Sequence, residues 1–347
     1  AVAMTMVAAT VVLGNAVEAV WTRVTEHEAS RYQSLDRECT HEFEHCCLGQ
    51  CRVHYMKKNV SDVLYKWDSE KNGNRRLANI LDLLDSLGAQ EGSVTPTVAK
   101  KIGPTIYFVG DSLSSDLAMA AVCQLLSAGY QLSSCQTSGL GGELYGIDRN
   151  YTCKANILPM ITHFLLEKNN MLSTLVPTNN VLILFSFGTI HKEVLVKLGG
   201  GIVVYNVGVH CNDLEGKLSG EKCLARALDN QLVPFVTGSS ESHKLKQWSF
   251  FFREHEPQHF STPNGTFKPG ALMEPCAPTK YPDNWRNEYV HRFIAKHNLS
   301  DKVPILPSFN LLEPLWQLHY GKGDCTHYCY SPWRFDVTWD AMLRALA

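Results

Sequence analysis

Thr105-Ile-Tyr-Phe-Val-Gly-Asp-Ser-Leu-Ser114 is the stretch on which the fold turns. Thr105 to Val109 is a short run of β-branched, aromatic and aliphatic residues without polar alternation. That pattern suits a strand buried on both faces of a parallel sheet. Gly110 ends the run. Beyond it, Leu117, Ala121, Leu125 and Leu126 recur at helical spacing to about Ala128. Strand, glycine turn and helix follow one another within about two dozen residues, so the unit reads as the start of a βα repeat.

The same alternation continues outward from it. Val181 to Phe185 and Ile202 to Tyr205 are further buried-strand candidates, and Trp248 to Phe252 is a third. Helical patterns are expected over Ile157 to Glu167, Lys217 to Gln231, Trp285 to His297 and Val337 to Ala345, with Val303 to Leu306 extended. Strands alternating with helices imply an α/β fold, a parallel sheet with helices on both faces. Ligands of such sheets bind beyond the C-terminal strand ends, which directs attention to the residues after Val109, Tyr205 and Phe252.

Upstream, the pattern is less regular. Ala1 to Val17 carries no charge and is rich in Ala, Val and Met. Residues 1–21 therefore read as a signal peptide, an anchor with possible membrane contact, or a buried helix; about 20 apolar residues are needed to span a bilayer. Residues 22–101 hold Cys39, Cys46, Cys47 and Cys51, interleaved with His41, His45 and His54. The spacing lacks the paired C-x2-C of a zinc site, so the expectation is a disulfide-pinned extension, with a short amphipathic helix over Leu77 to Leu87. Residues 102–347 form the remaining domain.

Composition narrows the chemistry. The 347 residues include 32 basic and 34 acidic ones, a net charge of −2, which argues against nucleic acid as a partner and suits a neutral substrate such as a sugar. Twelve cysteines accompany four Asn-x-Ser/Thr sequons at Asn59, Asn150, Asn264 and Asn298. Together they indicate an oxidising, glycosylating compartment of the secretory pathway, or the cell exterior. Protein partners are not indicated.

The candidate chemistry begins at Ser112, which leaves a strand and enters a helix. A serine hydroxyl becomes a nucleophile when a base removes its proton and donors hold the oxyanion, and first-turn N–H groups supply such donors. A serine here also suits an ordinary helix cap. In Asp324-Cys-Thr-His327, a carboxylate and an imidazole lie three residues apart on a loop or turn, close enough for the carboxylate to fix the imidazole tautomer. Cys325 and Cys329 flank this histidine and are expected to pin it through disulfides to other segments. Asn206-Val-Gly208 follows a buried strand, where an amide side chain and a glycine N–H can complete an oxyanion hole with the Ser112 N–H. Asp111, Arg253 and His259 are candidate substrate contacts; Arg253 also suits a salt bridge with Glu254 or Glu256.

Phe108-Val-Gly-Asp-Ser-Leu-Ser114, Asn206-x-Gly208, Phe252-Arg253 with Pro257-x-His259-Phe260, and Asp324-Cys-x-His327-Tyr-Cys329 occur in an order that resembles the trichome-birefringence-like/PC-esterase family. The closing Trp339-Asp-x-Met-Leu-x-Ala-Leu346 is similar to that family's C-terminal helix, and the resemblance covers about residues 104–346. It implies an SGNH-hydrolase-like fold and acyl transfer to polysaccharide hydroxyls, in the Golgi or outside the cell. Ser112 would be the acyl-enzyme nucleophile, His327 the base and Asp324 its orienting acid. The implied substrates are a carbohydrate and an acyl donor; no metal or bound cofactor is implied. Ser115-Asp116 and Val209-His210-Cys211 depart from the family pattern, where Arg-Asn and tryptophans are common. An acetyl-esterase on the same residues, or a silent glycan-binding or structural subunit, are the alternatives.

Overall fold

Strand β3 (Thr105–Gly110) forms where the sequence predicts it and lies at the centre of the molecule. Its alternate side chains feed two separate cores: Ile106 and Phe108 on one face, Tyr107 and Val109 on the other. A strand buried on both faces has no solvent-facing positions to alternate with, which is why the run shows no polar alternation. The computed structural model describes residues 21–23, 65–67, 75–90, 104–137, 154–155, 161–168, 179–211, 217–237, 245–267, 274–321 and 323–347.

After β3 comes helix α2 (Ser112–Ser127), preceded by the ribbon β1 (Trp21–Arg23)/β2 (Tyr65–Trp67) and by α1 (Ile80–Gln90). Downstream lie β4 (Gln131–Thr137), β5 (Lys154–Ala155), β6 (Ile161–Lys168), β7 (Asn179–Phe187), α3 (Lys192–Leu198) and β8 (Gly201–Asn206). Next are α4 (Lys217–Gln231), α5 (Val233–Thr237), β9 (Trp248–Arg253), α6 (Trp285–Lys296), β10 (Ile305–Leu306) and α7 (Phe309–Leu312). The chain closes with the two-stranded ribbon β11 (His319–Gly321)/β12 (Asp324–Tyr328) and α8 (Pro332–Leu346).

Among the described residues, eight strands form one sheet in the order β10-β9-β8-β3-β7-β6-β4-β5. β10, β9, β8, β3 and β7 are mutually parallel, whereas β6 runs antiparallel to both β7 and β4. Helices α1, α2 and α8 contribute to the core on one face, and α3, α4 and α6 to the core on the other. The expected α/β fold with helices on both faces is therefore present, but one reversed strand, β6, lies between β7 and β4 in place of a wholly parallel sheet. Within the 22–101 segment, α1 buries Ile80, Leu83 and Leu84 in the same core as α2 and α8. Asp340 of α8 reaches Arg75 and accepts from the Ala78 N–H, tying this segment down.

Two expectations change. The segment expected to be helical over Ile157 to Glu167 contains β6 instead. From Thr162 to Glu167 burial alternates residue by residue, with Thr162, Phe164 and Leu166 buried and their neighbours half-buried. Pairing with β7 over eight residues overrides the i, i+4 coincidence of Ile157, Ile161 and Leu165. Asp324 and His327, expected on a loop or turn, lie on strand β12. Residues 1–20, the cluster from Cys39 to Cys51, and the sequons at Asn59 and Asn150 lie outside the described residues. No helix among the described residues is long and apolar enough to cross a membrane.

Candidate functional site

The three strand ends singled out by the sheet argument are neighbours, because β3, β8 and β9 are adjacent. Gly110 at the end of β3 pairs with Asn206 at the end of β8. A Cβ at Gly110 would fall 1.8 Å from the Asn206 carbonyl oxygen and 2.3 Å from Ser114 Oγ, so this close approach requires glycine. The chain then turns into α2 through Asp111, an extended N-cap whose carboxylate accepts from the Leu113 N–H at 3.1 Å. Asp111, rather than Ser112, thus does the capping. Ser112 is left as the first helical residue, where its backbone N–H has no intrahelical partner.

His327 arrives from the ribbon at the far end of the chain. Its Nε2 lies 2.6 Å from Ser112 Oγ, and its Nδ1 lies 2.8 Å from Asp324 Oδ2. On a regular strand, residues three apart point to opposite faces. Here Asp324 Oδ1 accepts from the backbone N–H groups of both Thr326 and His327, at 3.1 and 3.0 Å, and curls the strand so that the pair can meet. A ring of Tyr320 stacks on the imidazole at 5.6 Å between centroids. Burial alone would raise the Asp324 carboxyl, but the hydrogen bond and charge of His327, with those two N–H donors, outweigh it and hold the group below its ordinary value. An ionised Asp324 accepts the Nδ1 proton, leaving the Nε2 lone pair toward the serine hydroxyl. That arrangement can take a proton from Ser112 and return it to a departing oxygen.

A disulfide, Cys276–Cys325, pins the residue after Asp324, and Cys329 is also disulfide-bonded. The residues after β9 brace the same ribbon: His259 N–H donates to the Cys325 carbonyl, Gln258 Nε2 to Thr326 Oγ1, and Tyr328 Oη to the Pro257 carbonyl.

The loop after β8 faces the start of α2. Gly208 adopts φ 126°, a conformation suited to glycine. Its carbonyl is held by Arg286 Nε at 2.9 Å and by the Cys211 N–H. The Val209 N–H donates to Asp111 Oδ2, and Cys211 is tied to Cys223 by a disulfide. Asp111 thus couples the Ser112 turn to the Gly208 loop. Its carboxyl is pushed up by burial, against the pull of Arg253 and the two N–H donors.

Four sequence expectations acquire different roles. Asn206 is fully buried and spends one N–H of its amide on the Arg253 carbonyl at 2.7 Å, so only its second N–H remains for an oxyanion. Asp111, Arg253 and His259, expected as substrate contacts, are all interior. Arg253 and Arg334 close on Glu256 in a buried cluster, and Arg334 lies between the rings of Tyr328 and Phe335. Burial lowers His259 to about 4; its Nε2 contacts the Glu313 carbonyl and its Nδ1 lies 2.6 Å from His319 Nε2. Each sits one layer behind the reacting atoms. The position of these residues after a strand end drew attention to them; the salt bridge to Glu256 was among the readings of Arg253, but sequence gave no sign that Asp111 and His259 point inward. The stacking Tyr320 and the bracing Gln258 and Arg286 had no sequence signal that singled them out.

Of the sequons, Asn298 is exposed with φ 53°, at the end of α6. Asn264 is half-buried, its Oδ1 accepting from Thr266 Oγ1 at 2.8 Å. No protein-family model and no curated protein matches the chain.

Proposed function

We propose that this protein is a serine acyl-transfer enzyme that moves an acyl group, most simply acetyl, onto a carbohydrate hydroxyl. The observation that carries this reading is the continuous chain Asp324 Oδ2–His327–Ser112 Oγ, with links of 2.8 and 2.6 Å, at the C-terminal end of a central parallel strand. A serine that served only as a helix cap would have no need of an aligned imidazole; Asp111 already caps the helix.

In the proposed reaction, Ser112 Oγ gives its proton to His327 Nε2 while attacking the acyl carbonyl carbon. The negative charge falls on the carbonyl oxygen, held by the Ser112 and Gly208 N–H groups and the second N–H of Asn206. The intermediate collapses, the bond to the leaving oxygen breaks, and that oxygen takes the proton from Nε2. An acceptor hydroxyl then gives its proton to Nε2 and attacks the acyl-serine, and the proton returns to Ser112 Oγ as the product ester leaves. With water as acceptor, the same residues act as an acetyl-esterase. Asp324 keeps the imidazole in the reactive tautomer throughout and stabilises the imidazolium.

The resemblance of the ordered blocks to the trichome-birefringence-like/PC-esterase family supports an SGNH-like assignment and a polysaccharide acceptor. The disulfides Cys211–Cys223 and Cys276–Cys325 are compatible with a secretory or extracellular setting, and we propose the Golgi lumen.

The test compares parent protein and Ser112→Ala on an activated acetyl ester, with and without oligosaccharide acceptors. The expected result is an acetyl-serine adduct at Ser112 in the parent, acetylated oligosaccharide from the parent alone, and loss of turnover in the variant. Equal turnover by both proteins overturns the assignment of Ser112. Ester cleavage without transfer to any acceptor selects the esterase.

A further inference from the structure

Strand β7 ends one strand away from the candidate nucleophile, on the side of β3 opposite the Gly208 loop. Its last residue, Phe187, pairs in register with Gly110, two residues before Ser112. Phe187 is 51% exposed, whereas Phe185 on the same face of the same strand is 2% exposed. A singly exposed apolar side chain is ordinary. The position and rigidity of this one are not.

Phe185 and Phe187 share a face because side chains alternate along a strand. Phe185 belongs to the core beneath α2, so Phe187 extends toward the side of the sheet from which α2, and Ser112 at its start, emerge. The two rings meet edge-to-face at 4.7 Å. The backbone that carries Phe187 is anchored on both sides of it. Ser186 Oγ donates to the Thr189 carbonyl at 2.7 Å, and Tyr107 Oη lies 2.7 Å from Ser186 Oγ. The Gly188 N–H donates to the Gly110 carbonyl at 2.8 Å. The turn is thus locked to the strand that presents Ser112. The Phe187 backbone lies one strand spacing, about 4.8 Å, from Gly110, two residues before Ser112.

We infer that Phe187 is a stacking platform for the apolar C–H face of a pyranose ring in the carbohydrate acceptor. This inference rests on the acyl-transfer reading, and names the substrate class and a contact for it. The acyl carbon bonds directly to Ser112 Oγ, so a two-carbon acyl group stays at the serine and does not reach a ring a strand away. The acceptor brings a whole sugar, which must extend away from the serine once its hydroxyl is in place. The oxyanion donors occupy the β8 side, leaving the β7 side for the sugar. A rigid, exposed aromatic ring supplies contact area there at little conformational cost.

The test uses the parent, Phe187→Ala and Phe187→Trp with xylohexaose, mannohexaose, cellohexaose and chitohexaose as probes. Binding is read by saturation-transfer NMR, and turnover by acetyl transfer to the same sugars and by hydrolysis of a small activated acetyl ester. For at least one sugar, Phe187→Ala is expected to weaken binding and raise the acceptor KM by roughly tenfold, as loss of one well-placed aromatic contact does. Phe187→Trp should restore both, with ester hydrolysis unchanged in either variant and the thermal midpoint preserved. Unaltered sugar binding in Phe187→Ala overturns the inference, as does failure of the parent to bind any of the four sugars. A parallel loss of ester hydrolysis also overturns it, since that marks a structural role. Sugar binding that depends on Phe187, beside turnover that survives Ser112→Ala, would leave the platform standing and remove the nucleophile instead.

Discussion

Asp324→Asn isolates what the carboxylate does. Asp324 makes three contacts: Oδ1 accepts two backbone N–H groups at 3.1 and 3.0 Å, and Oδ2 accepts from His327 Nδ1 at 2.8 Å. In the asparagine variant the amide oxygen keeps both backbone contacts, so the curl of β12 survives. The amide nitrogen then faces Nδ1 and must donate to it. That places the imidazole proton on Nε2, pointed at Ser112 Oγ, where the nucleophile needs a lone pair. Reaching the productive tautomer would set N–H against N–H at hydrogen-bonding distance, and the imidazolium would lose its counter-charge. A wrong tautomer of this kind costs a factor of about 10³–10⁴ in kcat, or roughly 4–5.5 kcal/mol of barrier.

Stability should respond quite differently. Because the backbone contacts persist, Asp324→Asn should lose under about 1 kcal/mol, whereas Asp324→Ala abandons both part-buried N–H groups and should lose more, about 1–2 kcal/mol. The assay is hydrolysis of an activated acetyl ester alongside urea denaturation of parent, Asn and Ala variants. Activity of Asp324→Asn within tenfold of the parent would refute the tautomer argument. So would a stability loss in Asp324→Asn equal to that in Asp324→Ala, because the amide would then not be preserving the backbone contacts.

Three further perturbations probe the frame around the site. Gly110→Ala places a methyl 1.8 Å from the Asn206 carbonyl oxygen, so β3 and β8 must part; a loss above about 3 kcal/mol is expected in urea denaturation. Glu256→Gln leaves the buried Arg253 and Arg334 without their shared counter-charge and should cost about 3–5 kcal/mol, seen as a lowered thermal midpoint; a variant as stable as the parent would contradict the pairing. Asp336 has its carboxyl raised from 3.8 to about 7 by burial, against the hydrogen bond from Gln124. Its folded-state value lies above the unfolded one, so its contribution is full below about pH 4 and lost as pH rises through 7. The gap corresponds to at most roughly 4 kcal/mol, and partial contact with water reduces this to about 2. Asp336→Asn should flatten the decline in stability between pH 4 and 8, and an unchanged pH slope would exclude Asp336 as its source.

The central βα unit was legible because one physical requirement governs it. A strand covered on both faces has no solvent-facing positions to alternate with, and Thr105 to Val109 meets that condition over five residues. The interior antiparallel strand β6 was not legible, since Ile157, Ile161 and Leu165 satisfy helical spacing while Thr162, Phe164 and Leu166 satisfy a strand. Only the partner β7 decides between them. At the site, the spacing of Asp324 and His327 suggested a pair on a loop or turn. Their meeting on a strand depends on backbone donors that every residue possesses, and so leaves no mark in composition. Arg253 took the salt bridge to Glu256 that the sequence offered beside a substrate contact, whereas His259 points inward for a related reason. A strand end identifies the neighbourhood of a site, while the direction of a side chain is set by its partners, here Glu256 three residues on for Arg253 and His319 sixty residues on for His259.

Those two residues belong to the segment that determines whether Ser112 and His327 can work together. Ser112 is held by the main sheet, whereas Asp324 and His327 sit on a separate two-stranded ribbon, 215 residues from the serine at His327. Residues 253–260 connect the two bodies. Arg253 ends β9 within the sheet, while Pro257, Gln258 and His259 each bond to β12. The disulfide Cys276–Cys325 adds a covalent link to that strand, and the Arg253–Glu256–Arg334 cluster extends the connection to α8. A proton transfer over 2.6 Å tolerates little misplacement. On the proposed mechanism, the buried charge cluster and the interior His259 would act through alignment, not through contact with substrate. Damage to this bridge should lower kcat while leaving the proposed carbohydrate contact at the C-terminal end of β7 intact, the opposite of what loss of a substrate contact would produce.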